Sequence, residues 1–232
     1  YAAARRLNGR AAAACAGLLV AVAFPLVQHA HYATTSSLAA GFAALAVWAA
    51  VMSATTNGRR ALVWFVLAGV AAGLAAGSRY NAAGVALVNM GIGVLLLRRG
   101  IPLLGVLAGG LAIPAAFVLT TPYVLFDFPE VWADFLYITR QYGAGESLFS
   151  TPYGLAYELR YLALYGIGLP ACALAVIGVL RALTVERRAR GVWIVLLLYL
   201  LAYTLVVLRT TRPAHADQLL VPVLPALALC AG

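Results

Sequence analysis

The stretch SLAAGFAALAVWAAVMSA, residues 37–54, contains no charged side chain and is long enough to cross a bilayer as one helix. The rest of the chain is similar, since 64% of its 232 residues are hydrophobic and only 10% are charged. A soluble domain carries about 25% charged residues, so this composition excludes an ordinary water-soluble fold. Backbone groups in lipid must bond within their own segment, and the stretch shows no barrel-like alternation, so it predicts an α-helix.

Seven further apolar segments predict an all-α fold, a polytopic transmembrane helical bundle with about eight spans. We expect residues 1–232 to form one transmembrane helical domain and to be an internal portion of a longer chain, because the sequence opens on Tyr1 in mid-pattern. The predicted spans are 11–28, 37–54, 61–77, 82–97, 101–120, 161–180, 192–208 and 219–232.

The arginines predict the orientation of the bundle. All sixteen basic residues are arginines, and eleven of them fall in alternate connections between the predicted spans. Such an excess marks the cytoplasmic side, so 29–37, 78–81, 121–160 and 209–218 are expected to face outward from a bacterial cytoplasmic membrane. The net charge of +9 lies in short clusters between apolar runs, a pattern that argues against nucleic acid as a partner.

The 121–160 segment is the only long connection, and we interpret it as an extracytoplasmic loop. It holds five of the seven acidic residues, and Asp127 and Glu130 have the spacing of a capping box. An amphipathic helix in the outer interface is predicted over 128–142, either as a brace on the membrane surface or as a wall of a cavity for an amphipathic substrate. Its apolar positions are Val131, Phe135, Ile138 and Tyr142, with Trp132 alongside.

Small residues and prolines within the spans are interpreted as packing features. Gly69, Gly73 and Gly77 recur every four residues and therefore form a smooth stripe on one helix face, which lets a neighbouring helix approach closely. Proline is tolerated in membrane helices, so we expect the spans to continue through their prolines, with kinked or discontinuous helices as the alternative. These prolines are Pro25, Pro114 and Pro170.

The stretch HAHYATTSS, residues 29–37, is the densest polar cluster and a candidate binding site. On a helix His29 and His31 diverge by about 200°, so they do not predict a shared metal site. Together with Tyr32 they are candidates for hydrogen bonds and stacking with a sugar or an acceptor. The three cysteines are expected to be buried free thiols. No cofactor is identified; a divalent metal stays open but has no support in the sequence.

Five features in this order resemble the polytopic glycosyltransferases that use lipid-linked sugars, the family of protein O-mannosyltransferases and bacterial aminoarabinose transferases with the GT-C membrane fold. Each feature is short, and the resemblance lies in their order and sidedness over nearly the whole chain. They are the basic turn RLNGR (6–10), a span ending in Pro and a tyrosine-containing turn (25–32), GLAAGSRYNAAG (73–84), TTPYVLFDFPE (120–130) and VPVLP (221–225).

The resemblance implies sugar transfer, with inversion, from a polyprenyl-phosphate donor to an extracytoplasmic acceptor protein, lipid or glycan. A carboxylate acts as the general base in this family, and its expected position is upstream of Tyr1, so the catalytic residue is unknown from this chain. Arginines hold the departing phosphate, and the candidates here are Arg79, Arg209 and Arg212. The substrate-binding residues that we expect are His29, His31, Tyr32, Arg79, Tyr80, Tyr123, Arg209 and Arg212.

Two positions depart from the family pattern and keep other functions open. Ser36 stands where Asp is common, and Gln218 stands where Arg is common. A secondary transporter would also have many spans, although these spans hold almost no acidic residues. A non-catalytic membrane subunit of a larger complex is the third interpretation.

Overall fold

The computed structural model describes residues 1–143, 159–184, 189–205 and 220–231, and all regular secondary structure in those ranges is helical. The all-α prediction is therefore confirmed. The α-helices are α1 Ala2–Asn8, α2 Arg10–Val22, α3 Phe24–His31, α4 Thr35–Thr55, α5 Gly58–Ser78, α6 Ala86–Arg98, α7 Leu103–Thr120, α8 Tyr123–Phe126, α9 Phe128–Gly143, α10 Leu169–Thr184, α11 Arg190–Tyr203 and α12 Leu224–Ala231. A 3₁₀ helix, Tyr80–Val85, precedes α6, and a π-helical turn, Leu162–Gly166, precedes α10.

Four helices are long and apolar enough to cross a membrane: α4, α5, α7 and the continuous 3₁₀–α6 unit Tyr80–Arg98. Two bent pairs raise the number of candidate spans to six if each pair is one span. The described parts of the chain thus hold four to six candidate spans, as expected of a membrane protein, and the predicted count of eight is not confirmed. The seventh predicted span, 192–208, corresponds to the shorter apolar helix α11 and continues outside the described residues.

The expectation of unbroken spans at the prolines is correct only for Pro114, which lies inside the continuous helix α7. The first predicted span breaks at Ala23, and α2 and α3 meet at 50°. The segment Leu159–Gly166 and helix α10 meet at 115°, next to Gly168 with φ 84°. Pro25 and Pro170 lie in the first turns after these breaks, where the missing N–H of proline costs no intrahelical hydrogen bond.

The glycine stripe of α5 packs directly on α7, as predicted. A Cβ atom added at Gly69 would collide with the carbonyl oxygen of Gly109, and one at Gly73 would collide with the carbonyl oxygen of Ile113. At Gly77 the obstacle would be the Thr120 hydroxyl. The absence of side chains at these three positions therefore sets the close contact of the two helices.

Side-chain hydrogen bonds define two ends of the bundle. At one end, which we call the Arg99 end, the Arg99 guanidinium donates to the carbonyl oxygen of Ala54, and the Ser53 hydroxyl donates to that of Ala61 at 2.8 Å. At the opposite ends of α4 and α5, which we call the Arg79 end, Arg79 donates to Ser36. Segments 29–37 and 78–81 therefore share one end of the molecule, as the sequence predicts.

The predicted amphipathic helix 128–142 is present as α9, Phe128–Gly143. Its first turn is closed by the backbone N–H of Val131, which donates to the carbonyl oxygen of Asp127 at 3.1 Å. The exposed rings of Phe128 and Trp132 lie on one face, and the carboxylates of Glu130 and Asp134 fall on the opposite face at 100° per residue. Its placement in the membrane interface stays a prediction.

Candidate functional site

The turn between α3 and α4 is held together by its own polar side chains. His29 is buried, and its Nδ1 atom shares a hydrogen bond of 2.9 Å with the Thr34 hydroxyl oxygen. The backbone N–H of Thr34 donates to the carbonyl oxygen of His29 at 3.1 Å, and the Ser37 hydroxyl donates to that of Thr34 at 2.7 Å. His29, which we expected to line a substrate pocket, therefore stabilises the turn that starts α4.

His31 and Tyr32 lie on the exposed side of the same turn. Their rings make an edge-to-face contact with centroids 5.2 Å apart, and Tyr32 is 70% exposed. The burial of His29 and the exposure of His31 agree with the predicted divergence of the two side chains around the helix. His31 and Tyr32 are thus available on the rim of the Arg79 end.

Arg79 and Ser36 form the polar contact at the centre of the Arg79 end. Arg79 follows α5 in an extended conformation, and its backbone N–H still donates to the carbonyl oxygen of Ala75 at 3.0 Å. Its guanidinium donates a hydrogen bond to the hydroxyl of Ser36, which is 1% exposed. The first turn of α4 therefore supports a half-buried arginine at the end of α5.

Ser36 was absent from the predicted site residues, although the sequence marks it as a departure from the family pattern. Its relation to Arg79, 43 positions away, depends on how α4 packs against α5, and no local motif records this packing. The sequence shows only a run of four hydroxyl residues, 34–37, at the start of one span and an arginine at the end of the next.

Aromatic contacts connect Tyr80, the residue after Arg79, to α9. The rings of Tyr80 and Phe135 meet edge to face with centroids 6.3 Å apart. Phe135 in turn stacks on Trp132 at 5.6 Å, and Trp132 stacks on Phe128 at 6.3 Å. We call Phe128, Trp132 and Phe135 the α9 aromatic row; all three rings are exposed, between 41% and 57% of their surface. The row begins beside the arginine site and extends along α9.

Helix α11 reaches the same end through Asn81, whose side-chain amide donates to the Tyr203 hydroxyl at 3.0 Å. Tyr203 contacts Tyr199 edge to face, and the Tyr199 hydroxyl donates to the carbonyl oxygen of Pro222 at 3.4 Å. These buried tyrosines fix α11 against the 3₁₀ helix and so support the position of the segment that carries Arg79 and Tyr80.

The remaining predicted site residues are not brought together. Tyr123 lies at the start of α8 with 73% of its surface exposed, and no described contact joins it to Arg79. Arg209, Arg212 and Gln218 lie outside the described residues, as do residues 144–158 of the predicted loop. The predicted convergence of three arginines is therefore untested.

The described residues contain no group of three His, Cys, Asp or Glu side chains that could hold a metal ion. The three cysteines are free thiols, and Cys15 lies exposed on α2, so the expectation that all three are buried is wrong. An open cavity of about 350 Å³ lies between α1, α2, α4 and α12, with Gly17, Gly41 and Trp48 in its walls. Its walls are mainly apolar, which suits hydrocarbon better than a polar substrate.

Comparison of the chain with protein-family models, with curated proteins and with solved structures gives no match.

Proposed function

We propose that this protein is a membrane glycosyltransferase with the GT-C fold, which moves a sugar from a polyprenyl-phosphate donor to an extracytoplasmic acceptor. The observation that carries the proposal is Arg79, a half-buried guanidinium supported by the buried Ser36 hydroxyl at one end of a bundle of apolar helices. The proposal includes the eight spans and a bacterial cytoplasmic membrane with the Arg79 end outside.

The chemistry of Arg79 suits the phosphate of a lipid-linked donor. An arginine near the hydrocarbon boundary is costly unless it is paired or solvated, so its placement there favours a functional role. A planar guanidinium presents several N–H donors to phosphate oxygens, and such charge-assisted hydrogen bonds are about twice as strong as neutral ones. One edge of Arg79 is occupied by Ser36, and this contact restrains its orientation.

In the proposed reaction an acceptor hydroxyl attacks C1 of the sugar while the bond from C1 to the phosphate oxygen breaks. Polyprenyl phosphate leaves with the bonding electrons, and Arg79 stabilises the negative charge that develops on it. A carboxylate takes the proton of the acceptor hydroxyl, and no described residue is assigned to this role. His31 and Tyr32 are assigned to the sugar or the acceptor because they are exposed on the rim of the same end.

The α9 aromatic row supports a role in receiving an amphipathic substrate. Its exposed rings form an apolar surface that begins at Tyr80, next to Arg79. Aromatic side chains favour the boundary between lipid and water, where a polyprenyl tail must pass from the bilayer to its phosphate. We therefore assign the row to the interface beside the donor headgroup.

Binding of polyprenyl phosphate, the leaving group of every such reaction, tests the proposal without knowledge of the sugar. The full-length protein in nanodiscs should bind polyprenyl phosphate more tightly than the matching prenol, which lacks the phosphate. Arg79→Ala should lower the affinity at least about tenfold, and Arg79→Lys should lower it less, because lysine keeps the charge but loses the fork. Arg10→Gln, which removes an exposed arginine at the start of α2, is the matched control.

Equal binding of polyprenyl phosphate and prenol would contradict the proposal. If Arg79→Ala binds polyprenyl phosphate as tightly as the unmodified protein, Arg79 does not belong to the donor site. Its side chain would then only reach the lipid headgroups.

A secondary transporter is the second candidate, and the two helix breaks favour it. Transporters place substrates at the broken ends of helices near the middle of the membrane. The breaks at 23 and 167–168 are flanked by apolar residues or glycine, and no ionisable side chain lies within two residues of Ala23. Substrate-dependent counterflow in proteoliposomes would support the transporter, and its absence alongside polyprenyl-phosphate binding would favour the transferase.

A further inference from the structure

The Arg99 end carries a cluster of exposed arginines that the proposed function does not use. Arg59 and Arg60 lie in the first turn of α5, and Arg98 and Arg99 lie at the end of α6; all four are exposed. We call these four residues the basic patch. Each of the two turns that hold them contributes a pair of adjacent guanidinium groups.

Two contacts bring the turns together. The Arg99 guanidinium donates to the carbonyl oxygen of Ala54, in the last turn of α4, just before the turn that leads to Arg59. Leu62 in the first turns of α5 packs so closely on α7 that a Cβ at Gly105 would lie 2.7 Å from its Cδ2 atom. The four arginines are therefore neighbours at one end of the bundle.

The basic patch has no acidic counterpart in the described parts of the chain. The three acidic side chains described, Asp127, Glu130 and Asp134, all belong to 127–134, beyond the far end of α7. The position of Arg59 and Arg60 adds to this imbalance, because cations in the first turn of a helix are disfavoured by the helix dipole. An external anion would offset both effects.

Exposed apolar side chains border the basic patch. Val63 lies about one turn after Arg59 and Arg60 with 52% of its surface exposed, and Leu97, directly before Arg98, is 40% exposed. Leu103 and Leu104 of α7 are 60% and 79% exposed. These helices are candidate spans, so the arginines lie where the hydrocarbon region meets the headgroups. The border of exposed leucines favours an anion attached to acyl chains over a free anion in water.

We propose that the basic patch binds the phosphate headgroups of anionic phospholipids. The guanidinium groups donate to the phosphodiester oxygens, and the acyl chains lie along the exposed leucines of α7. The assignment is independent of sugar transfer, because it concerns the end of the bundle opposite Arg79. Each basic side chain near an anionic surface adds about a fivefold gain in binding.

Native mass spectrometry of the full-length protein in a neutral detergent tests the assignment, with phosphatidylglycerol or phosphatidylcholine added at equal concentration. We expect phosphatidylglycerol to bind at least about tenfold more tightly than phosphatidylcholine. The double variant Arg59→Gln/Arg60→Gln should lose most of this preference, and Arg140→Gln, at a distance from the basic patch, should keep it. Retention of the full preference in the double variant would overturn the assignment.

Two measurements on the unmodified protein test the same assignment and do not depend on the folding of the double variant. At 1 M salt the Debye length falls to about 3 Å, so the preference for phosphatidylglycerol should fall sharply. Glycerophosphoglycerol, the phosphodiester headgroup of phosphatidylglycerol without its acyl chains, should not raise the Tm as phosphatidylglycerol does. An equal rise with glycerophosphoglycerol would assign the patch to a soluble anion, and a preference unaffected by salt would overturn its electrostatic basis.

Discussion

Ser36 is the residue whose role the structure changes most. The resemblance to the lipid-linked-sugar glycosyltransferases predicts a carboxylate at this position, whereas in the structure Ser36 is a buried hydroxyl that accepts a hydrogen bond from Arg79. A hydrogen bond to a charged group contributes about 1.5–3 kcal/mol, enough to restrain a long side chain in one orientation. Ser36 is thus a positioning residue for the proposed phosphate site.

Removing the Ser36 hydroxyl should weaken donor binding without removing Arg79. We expect Ser36→Ala to lower the affinity for polyprenyl phosphate about fivefold or more, since the guanidinium loses one of the contacts that orient it. Ser36→Thr keeps a hydroxyl and should retain most of the affinity. Binding to nanodiscs is the measurement; if Ser36→Ala binds like the unmodified protein while Arg79→Ala does not, the positioning role is wrong.

Ala33 has an unfavourable backbone conformation in the α3–α4 turn. Its φ of 48° lies in the left-handed region, which costs a residue with a Cβ about 1–2 kcal/mol. Ala33→Gly should therefore stabilise the protein by up to about 1 kcal/mol, seen as a higher Tm, after the entropy of the unfolded chain offsets part of the gain. Ala30→Gly, within α3, is the matched control and should lower the Tm. A lower Tm in both variants would show that the backbone conformation of Ala33 is not strained.

At the level of elements, the contact between α5 and α7 depends on the glycine stripe. Gly73 leaves no space for a Cβ, since one would lie 2.8 Å from the Cβ of Ala116 and collide with the carbonyl oxygen of Ile113. A Cβ atom added at Gly110, on α7, would have no heavy atom within 4 Å. Both glycines lie inside long apolar helices, and they differ in whether a neighbouring helix occupies the space of a Cβ atom.

Gly73→Ala should separate α5 from α7 and destabilise the protein by about 1–3 kcal/mol, the usual cost of overpacking. Gly110→Ala should leave the stability unchanged or raise it slightly, because alanine is the better helix former. Thermal unfolding in detergent, followed by circular dichroism, measures both. Equal effects of the two substitutions would show that the stripe does not set the helix contact.

The sequence predicts the long helices well and the breaks poorly. Predicted spans 37–54 and 61–77 correspond to Thr35–Thr55 and Gly58–Ser78, because an uncharged apolar run of that length is helical in lipid. Prolines are compatible with both continuous and broken helices, so their presence alone does not predict the 50° and 115° bends. Gly168, with φ 84°, is a local signal only for the second bend.

The same limit applies to the candidate site. Polar residues between spans identify the Arg79 end, since a chain this apolar holds few of them. The pairing of Arg79 with Ser36 and the internal role of His29 require the packing of α4 on α5 and the geometry of one turn. Neither is encoded in the spacing of residues along the chain.

At the scale of the whole molecule, the two ends of the bundle are chemically different. The Arg79 end combines aromatic, hydroxyl and acidic side chains, whereas the Arg99 end carries the basic patch. The excess of arginines predicts that the Arg99 end faces the cytoplasm. Helix α4 connects the two ends, with Thr35 and Thr55 both exposed at its termini.

Cysteine labelling at the two ends of α4 tests this orientation. In a background without native cysteines, Thr35→Cys should react with a membrane-impermeant maleimide added to intact cells, and Thr55→Cys should react only after permeabilisation. The reverse pattern would invert the orientation. Reaction at both positions in intact cells would show that α4 does not span the membrane.

Sugar transfer as proposed requires Arg79 to receive the phosphate of a lipid-linked sugar donor. A cryo-EM structure of the full-length protein with polyprenyl phosphate bound would locate that phosphate. We expect phosphate oxygens at about 2.7–2.9 Å from the Arg79 guanidinium, with the Ser36 contact retained and the prenyl tail entering the bilayer beside α9. A phosphate bound more than about 10 Å from Arg79, far beyond hydrogen-bond reach, would show that Arg79 does not hold the donor.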